Sequence, residues 1–509
     1  MRSLLAVLGF LFMFDGSPAR IAVEPIGACV AGTNVRVDGF ERAHRCVATS
    51  SVAAQADFDD GLTLLYAFDP EEARRAFERA AGEDPSLAIA WWGVANSYAP
   101  NINTSFASAD QKRGHDAIAR ANARLASATP AERALVEATT KRFAFTAARD
   151  EARSARAYRD AMFAAAKAFP GDDDVRALAA EAEMDVHAWS YFTPDGKATP
   201  GTEDLIAQLR AVLERNPDHI GAEHFAIHAF EESARPGDAL DAARRLSTRR
   251  FEPAAEHLTH MPAHTFMRVG EYHEAAEANA RAVESYLAYY ASDPAGHNDY
   301  FGHDCSFGVD AFLMSGETGR ARALDAVCRR NGANFAATID LRARDWAALA
   351  RDVGTGDFAG GILLARDKRL ALAQARARML RASSDGLSAI EAALIDARVA
   401  REGGQSDAEI AALERAVKIE DGYGYAEPPT FFYPVRETLG AAFARAHRYA
   451  DAERVFREDL ERDRENPRAL FGLAETLARA GKSEDARAMH ERFERAWRQA
   501  DTELDLNEL

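Results

Sequence analysis

The chain is predicted to be all-α, an extended array of stacked helix pairs, and three observations predict it. Segments rich in Ala, Leu, Arg and Glu run the whole length, without strict period-2 alternation or long β-branched runs. At 509 residues the chain is long for a single compact core, so it calls for several domains or an array. Small and aromatic residues also recur at fixed offsets near both ends, which favours the array.

The N-terminus opens Met1-Arg-Ser, continues with apolar residues from Leu4 to Phe14 and reaches Ser17-Pro-Ala19. A basic start, an apolar run too short to span a bilayer and small residues before a cut after Ala19 fit a secretory signal peptide over residues 1–19. A periplasmic or secreted protein is the expectation. Residues 20–52 form an N-terminal segment with Cys29 and Cys46, which can close a small loop; Cys305 and Cys328 can make a second bridge. Four cysteines allow three pairings.

Repeats are expected to begin at residue 53. Gly61, Ala73, Phe77, Ala80 and Pro85 stand at offsets of 12, 4, 3 and 5, and Gly440, Ala452 and Phe456 repeat the first two. Ala486 follows Ala452 by 34 residues, with Asn466-Pro467 as the turn between. These positions resemble the tetratricopeptide repeat, in which small residues let two helices of one unit approach. The resemblance implies a right-handed α-solenoid with a concave inner face. Ala239, Ala275 and Ala408 mark looser units between the ends. Tyr191–Pro200, with two prolines and a glycine, reads as a loop on that frame. The Gly-rich stretch Gly354–Gly361 separates an N-terminal block, 53–353, from a C-terminal block, 362–509.

The formal charge of −18 is spread along the chain, which argues against a nucleic-acid partner. No later segment is long and apolar enough to cross a membrane. A phosphate loop, a nucleophile elbow, a Cys-x-x-Cys pair and a His-Glu-x-x-His motif are all missing from the sequence.

Ten of the fourteen histidines lie between His187 and His303. In Glu223-His-Phe-Ala-Ile-His-Ala-Phe-Glu-Glu232, residues His224, His228 and Glu231 share one helix face at i, i+4 and i+7. His257, His260 and His264 share another, with Pro262 set to kink or start a helix there. Two imidazoles one turn apart chelate an ion, and two such pairs on neighbouring helices complete a tetrahedral or dinuclear site. The expected ligands are His224, His228, His257, His260, His264 and His303, and the expected metal is Cu, Fe or Zn. Glu231 is expected as a ligand, an orienting group or a general base, and Arg268 as the partner of an anionic substrate group. His187 and His297 stand in turn-like contexts nearby, and Cys305 is either a ligand or half of a disulfide. His44, His115, His219, His273, His447 and His490 read as surface or hydrogen-bonded residues.

Several stretches together resemble a narrower family of bacterial tetratricopeptide proteins. They are Ala90-Trp-Trp-Gly-Val-Ala with Pro100-Asn-Ile-Asn103, His224-x-x-x-His228-Ala-x-Glu-Glu-Ser233, His257-Leu-x-His260-Met-Pro-x-His264, His303-Asp, and Glu427-Pro-Pro with Tyr433-Pro-Val-Arg436. This chain has Ala263, Asp304 and Ser306 where that pattern has Ser, Asn and His. The resemblance implies a shared polar site, drawing on Asn103, His228, His264, His303 and Glu427, and carries over no particular activity. Three functions stand as expectations: a metal-dependent protein acting on a small-molecule substrate, a scaffold whose concave face takes a peptide partner, or metal storage or sensing without turnover. The Trp91-Trp92 pair and Phe431-Phe432-Tyr433 read as repeat packing that can also wall a small-molecule pocket.

Overall fold

The computed structural model describes residues 34–105, 108–144, 151–193, 196–293, 300–352 and 358–509. The expected signal peptide, Cys29 and His297 lie outside these residues, as does the first half of the Gly-rich break, residues 354–357.

Prolines and short polar side chains set where the helices begin. Asp69 caps Pro70–Glu83 by accepting from the Glu72 amide, with Pro70 in the first turn. Thr129 and Glu132 form a reciprocal capping box on Pro130–Arg142. Asn466 accepts from the amides of Arg468 and Ala469 to start Pro467–Arg479. Gly270 and Gly316, at φ 86° and 81°, end helices in the left-handed conformation that glycine adopts without a Cβ penalty. The result is the expected all-α array, each helix packed on the next. Among the described residues the only sheet is a hairpin of Val35–Val37 with Phe40–Arg42.

The two ends are built alike. Phe77 is fully buried, and a Cβ at Gly61 or Gly93 would lie 2.6 or 2.4 Å from its ring. Phe456 stands in the same relation to Gly440 and Gly472, at 2.6 and 2.3 Å. In both places one phenyl ring fills the space that two glycines on flanking helices leave, so three helices close on one aromatic. Trp92 is buried against Phe77, whereas Trp91 lies under the guanidiniums of Arg120 and Arg124.

The buried apolar side chains form two clusters, one from Ala43 to Ile339 and one from Leu341 to Leu509. Polar contacts tie the second back onto the first. Asp501 accepts from the amides of Thr318 and Gly319 at the start of Thr318–Cys328, where a helix N-terminus favours an anion. Tyr272 donates its hydroxyl to the Arg464 carbonyl at 2.7 Å. This return places the segment after Asp421 over the histidine-bearing helices. Cys305 and Cys328 are bridged, so Cys305 belongs to a disulfide and is not a ligand. Cys46 is also disulfide-bonded. No described helix is long and apolar enough to cross a membrane.

Candidate metal centre

Every residue of the helix Ile220–Glu231 is buried, as expected of a core helix apolar on most sides, so its polar residues must find partners inside the protein. His224 and His228 lie on one face. The second histidine segment is broken at Met261–Pro262 into Glu256–His260 and Pro262–Val269, with Pro262 in the first turn of the latter. Both pieces of this second segment lie against Tyr272–Ser292. His303 comes from the first turn of Phe301–Ser315, the helix the disulfide fastens to Thr318–Cys328.

The six histidines assemble as two triads. One holds His224, His228 and His257, the other His260, His264 and His303, with the nitrogens in each within 4.8 Å of one another. The triads adjoin, since the His228 and His264 rings are 5.9 Å apart and those of His257 and His260 5.8 Å. One-face arithmetic grouped His257 with His260 and His264. The structure instead sends His257 to the other triad, because the break at Met261–Pro262 separates it from the following turn. His187 is exposed and apart from both triads.

Hydrogen bonds behind the rings decide which nitrogen faces inward. The Tyr66 carbonyl, which only accepts, lies 2.6 Å from His224 Nδ1. Glu231 Oε1 lies 2.7 Å from His228 Nδ1, and its Oε2 lies 2.5 Å from His264 Nδ1. Asn279 gives its amide N–H to the Ala275 carbonyl, which turns its Oδ1 toward His260 Nδ1 at 2.7 Å. Asp304 Oδ1 lies 3.1 Å from the same nitrogen. The rings of His224, His228 and His260 therefore carry the proton on Nδ1 and present a bare Nε2 lone pair inward, while His264 Nδ1 lies against Glu231 Oε2 without a hydrogen bond.

Inside, His260 Nε2 lies 2.7 Å from His264 Nε2 and 3.1 Å from His303 Nε2. The Nε2 atoms of His224 and His228 and both nitrogens of His257 are buried without a hydrogen-bond partner. Buried lone pairs facing one another are costly unless a cation lies between them. This donor set fits transition-metal ions, since tetrahedral imidazole ligation spaces ligand nitrogens about 3.3 Å apart.

Electrostatics points the same way. Burial, then the neighbouring imidazoles, pushes His224, His257 and His260 well below the usual histidine range. Burial lowers His228 as well, against the opposing pull of Glu231. His303 is pushed down to about 3 by burial and by His264. Neutral imidazole is the ligating form. Burial alone would raise Glu231, but the His264 and His228 charges and hydrogen bonds outweigh it and hold the carboxyl far below the usual range.

Aromatic walls complete the chamber. Phe68, at φ 56° and therefore in a strained conformation for a bulky residue, places its ring 4.6 Å from His224 and stacks on His228 and His257. Tyr300 stacks on His257 at 4.3 Å, and the Asn103 amide donates to its hydroxyl. Trp189 stands edge-on to His228.

Arg268 and Tyr425 reach Glu231 from outside. The Arg268 guanidinium donates to the Glu231 and Ser233 carbonyls, and the Tyr425 hydroxyl donates to Glu231 Oε2 at 3.1 Å. Both also wall a cavity of about 860 Å³ that Glu427, Phe431 and Phe432 line too. Glu427 thus belongs to this cavity and not to the histidine chamber. Tyr66, Phe68, Asn279, Tyr300 and Tyr425 were not singled out from the sequence. Only Asn279 gave a signal there, as a polar residue on the alanine face of Ala275-Ala276-Glu-Ala278-Asn279.

Fold and site together define a helical-repeat solenoid enclosing a six-histidine chamber. Residues 443–495 match the tetratricopeptide repeat family. No curated protein matches the chain. Among solved structures it is similar to the human IFIT1 dimer with m7Gppp-AAAA, at 12% identity and a TM-score of 0.32 over 86% of this chain and 90% of that one. The APC/C hetero-tetramer Cut9-Hcn1 is similar at 13% identity and a TM-score of 0.30, over 88% and 97%. The TPR domain of P58(IPK) is similar at 13% and 0.23, over 85% and 99%. Likeness at this level says nothing of what this chain binds.

Proposed function

We propose that the protein is an exported tetratricopeptide-type solenoid holding a dinuclear transition-metal centre of Cu, Fe or Zn, and that it acts on a small molecule. His224, His228 and His257 would hold one ion, and His260, His264 and His303 the other. The observation that carries this reading is the set of inward Nε2 lone pairs, fixed by acceptors behind the rings of His224, His228 and His260. Such a pair of ions supplies Lewis acidity and, for Cu or Fe, one-electron chemistry. Glu231 orients one ring of each triad through the two oxygens of a single carboxylate, and Arg268 and Tyr425 hold Glu231 from the cavity side. The Cys305–Cys328 disulfide supports a periplasmic or secreted location, because disulfides persist in oxidising compartments.

A second reading has one observation in its favour. The family match over residues 443–495 is to a repeat commonly used as a protein-binding scaffold, which would take a peptide partner on its concave face without catalysis. Elemental analysis by inductively coupled plasma mass spectrometry separates the two, using untagged protein purified without chelators beside the His260→Ala/His264→Ala variant. The metal reading expects Cu, Fe or Zn in the wild type and its loss from the variant with helicity kept. Wild-type protein that takes up none of these metals on titration would leave the scaffold reading.

A further inference from the structure

The cavity beside the histidine chamber has a charge pattern of its own. Six carboxylates and two guanidiniums line it, and both guanidiniums are engaged. Arg268 donates to the Glu231 and Ser233 carbonyls, and Arg462 is paired with Asp421 at 3.3 Å. Among the carboxylates, Asp310 is 3% exposed and its side chain makes no hydrogen bond or ion pair within the described residues. Glu427 Oε2 is buried without a partner. Asp463, on the same wall, makes no side-chain hydrogen bond either. Leaving a buried oxygen such as Glu427 Oε2 unpaired costs several kcal/mol unless something from outside completes it, and the Asp310 and Asp463 carboxylates face the same cavity without a partner.

The geometry points to a binding site for a small organic cation, with an ammonium or guanidinium head received by Asp310, Asp463 and Glu427 and a body lying against aromatic walls. Tyr272, Tyr423 and Phe431 supply those walls, and aromatic faces beside carboxylates suit a cation on an apolar stem. A single inorganic ion fits poorly. Among the described residues, groups of three or more potential ligands within 4.8 Å occur only at the two histidine triads, so these carboxylates are too dispersed to chelate one ion. The volume, about 860 Å³, suits an organic ligand. Burial also pushes Asp310 up to about 7, against the Arg342 charge, and Asp463 up to about 6, so an incoming cation would favour their ionised forms.

The test is isothermal titration calorimetry at pH 7.5 on the full chain, with phenethylamine, agmatine and spermidine, and with phenethyl alcohol as a neutral control. At least one amine should bind while the alcohol does not. Asp310→Asn and Asp463→Asn should each weaken it by roughly tenfold or more, the usual effect of losing a buried charge-assisted contact. Circular dichroism and the melting temperature show that each variant folds. The His260→Ala/His264→Ala variant should bind the amine as the wild type does, which separates this site from the metal reading. Failure of all three amines to bind, equal binding of amine and alcohol, or unchanged affinity in both folded aspartate variants would overturn the proposal.

Discussion

His260 and His264 face each other Nε2 to Nε2 at 2.7 Å across the Met261–Pro262 break, each with its other nitrogen against an oxygen acceptor. Two bare Nε2 lone pairs so oriented would repel unless a cation is shared between them. Their backing groups therefore matter as much as the rings. Glu231 backs one ring in each triad, so Glu231→Gln, which keeps the shape and removes the charge, should weaken both ions together. Loss of an outer hydrogen-bond partner of a metal-bound histidine costs on the order of 10- to 100-fold in affinity. Competition against a chromogenic chelator checks this, with two equivalents shifting in Glu231→Gln and one in Asn279→Leu, since Asn279 backs only His260. A Glu231→Gln variant that holds both ions as tightly as the wild type would remove Glu231 from the site.

The disulfide lies two residues from His303, and its partner belongs to the next helix. It holds the helix that presents both His303 and Asp304. Cys305→Ala/Cys328→Ala should lose about 2–4 kcal/mol of stability, the usual range for a native bridge. It should also weaken the triad of His260, His264 and His303 while sparing that of His224, His228 and His257. Denaturant unfolding with metal titration reads both effects. Equal weakening of both triads would mean that the bridge acts on the whole fold and not on His303.

The fold was legible because its local rules repeat. Gly61, Phe77, Gly440 and Phe456 sit where close helix approach needs a small residue facing an aromatic one, and spacing alone reveals that. The pairs His224/His228 and His260/His264 were legible for the same reason, since i and i+4 share a face in any helix. His257 was misgrouped because that arithmetic assumes an unbroken helix, and Pro262 interrupts this one. Tyr66 and Tyr425 were out of reach, because they meet the histidines only through the stacking of distant helices and the return of the C-terminal block.

The shared architecture of the two ends can be tested by filling the glycine gaps. Gly93→Ala and Gly472→Ala each place a methyl group within 2.4 Å of a buried ring, Phe77 or Phe456. Overpacking of this kind costs about 1–3 kcal/mol. Both substitutions should lower stability by similar amounts in chemical denaturation. The Phe77 and Phe456 contacts are equivalent only if the two losses agree, so a loss at one end alone would show that the repeats differ in packing.

Asp310 gives a stability prediction of opposite sign. Burial, opposed by Arg342 and reinforced by Asp463 and Glu437, raises its carboxyl from the usual aspartate range to about 7. In the window between those two values the folded state binds a proton that the unfolded state has lost. Stability contributed by protonated Asp310 is then complete below the unfolded value and disappears as pH rises through about 7. Asp310→Asn cannot ionise. It should match the wild type near pH 4 and exceed it by about 2–4 kcal/mol at pH 8, as a shift of this size implies. Urea unfolding of both proteins at the two pH values measures the difference. An advantage at pH 8 would mean that the wild type keeps an uncompensated buried charge on the cavity wall, the situation a cationic ligand relieves. A difference independent of pH would instead trace the effect to packing.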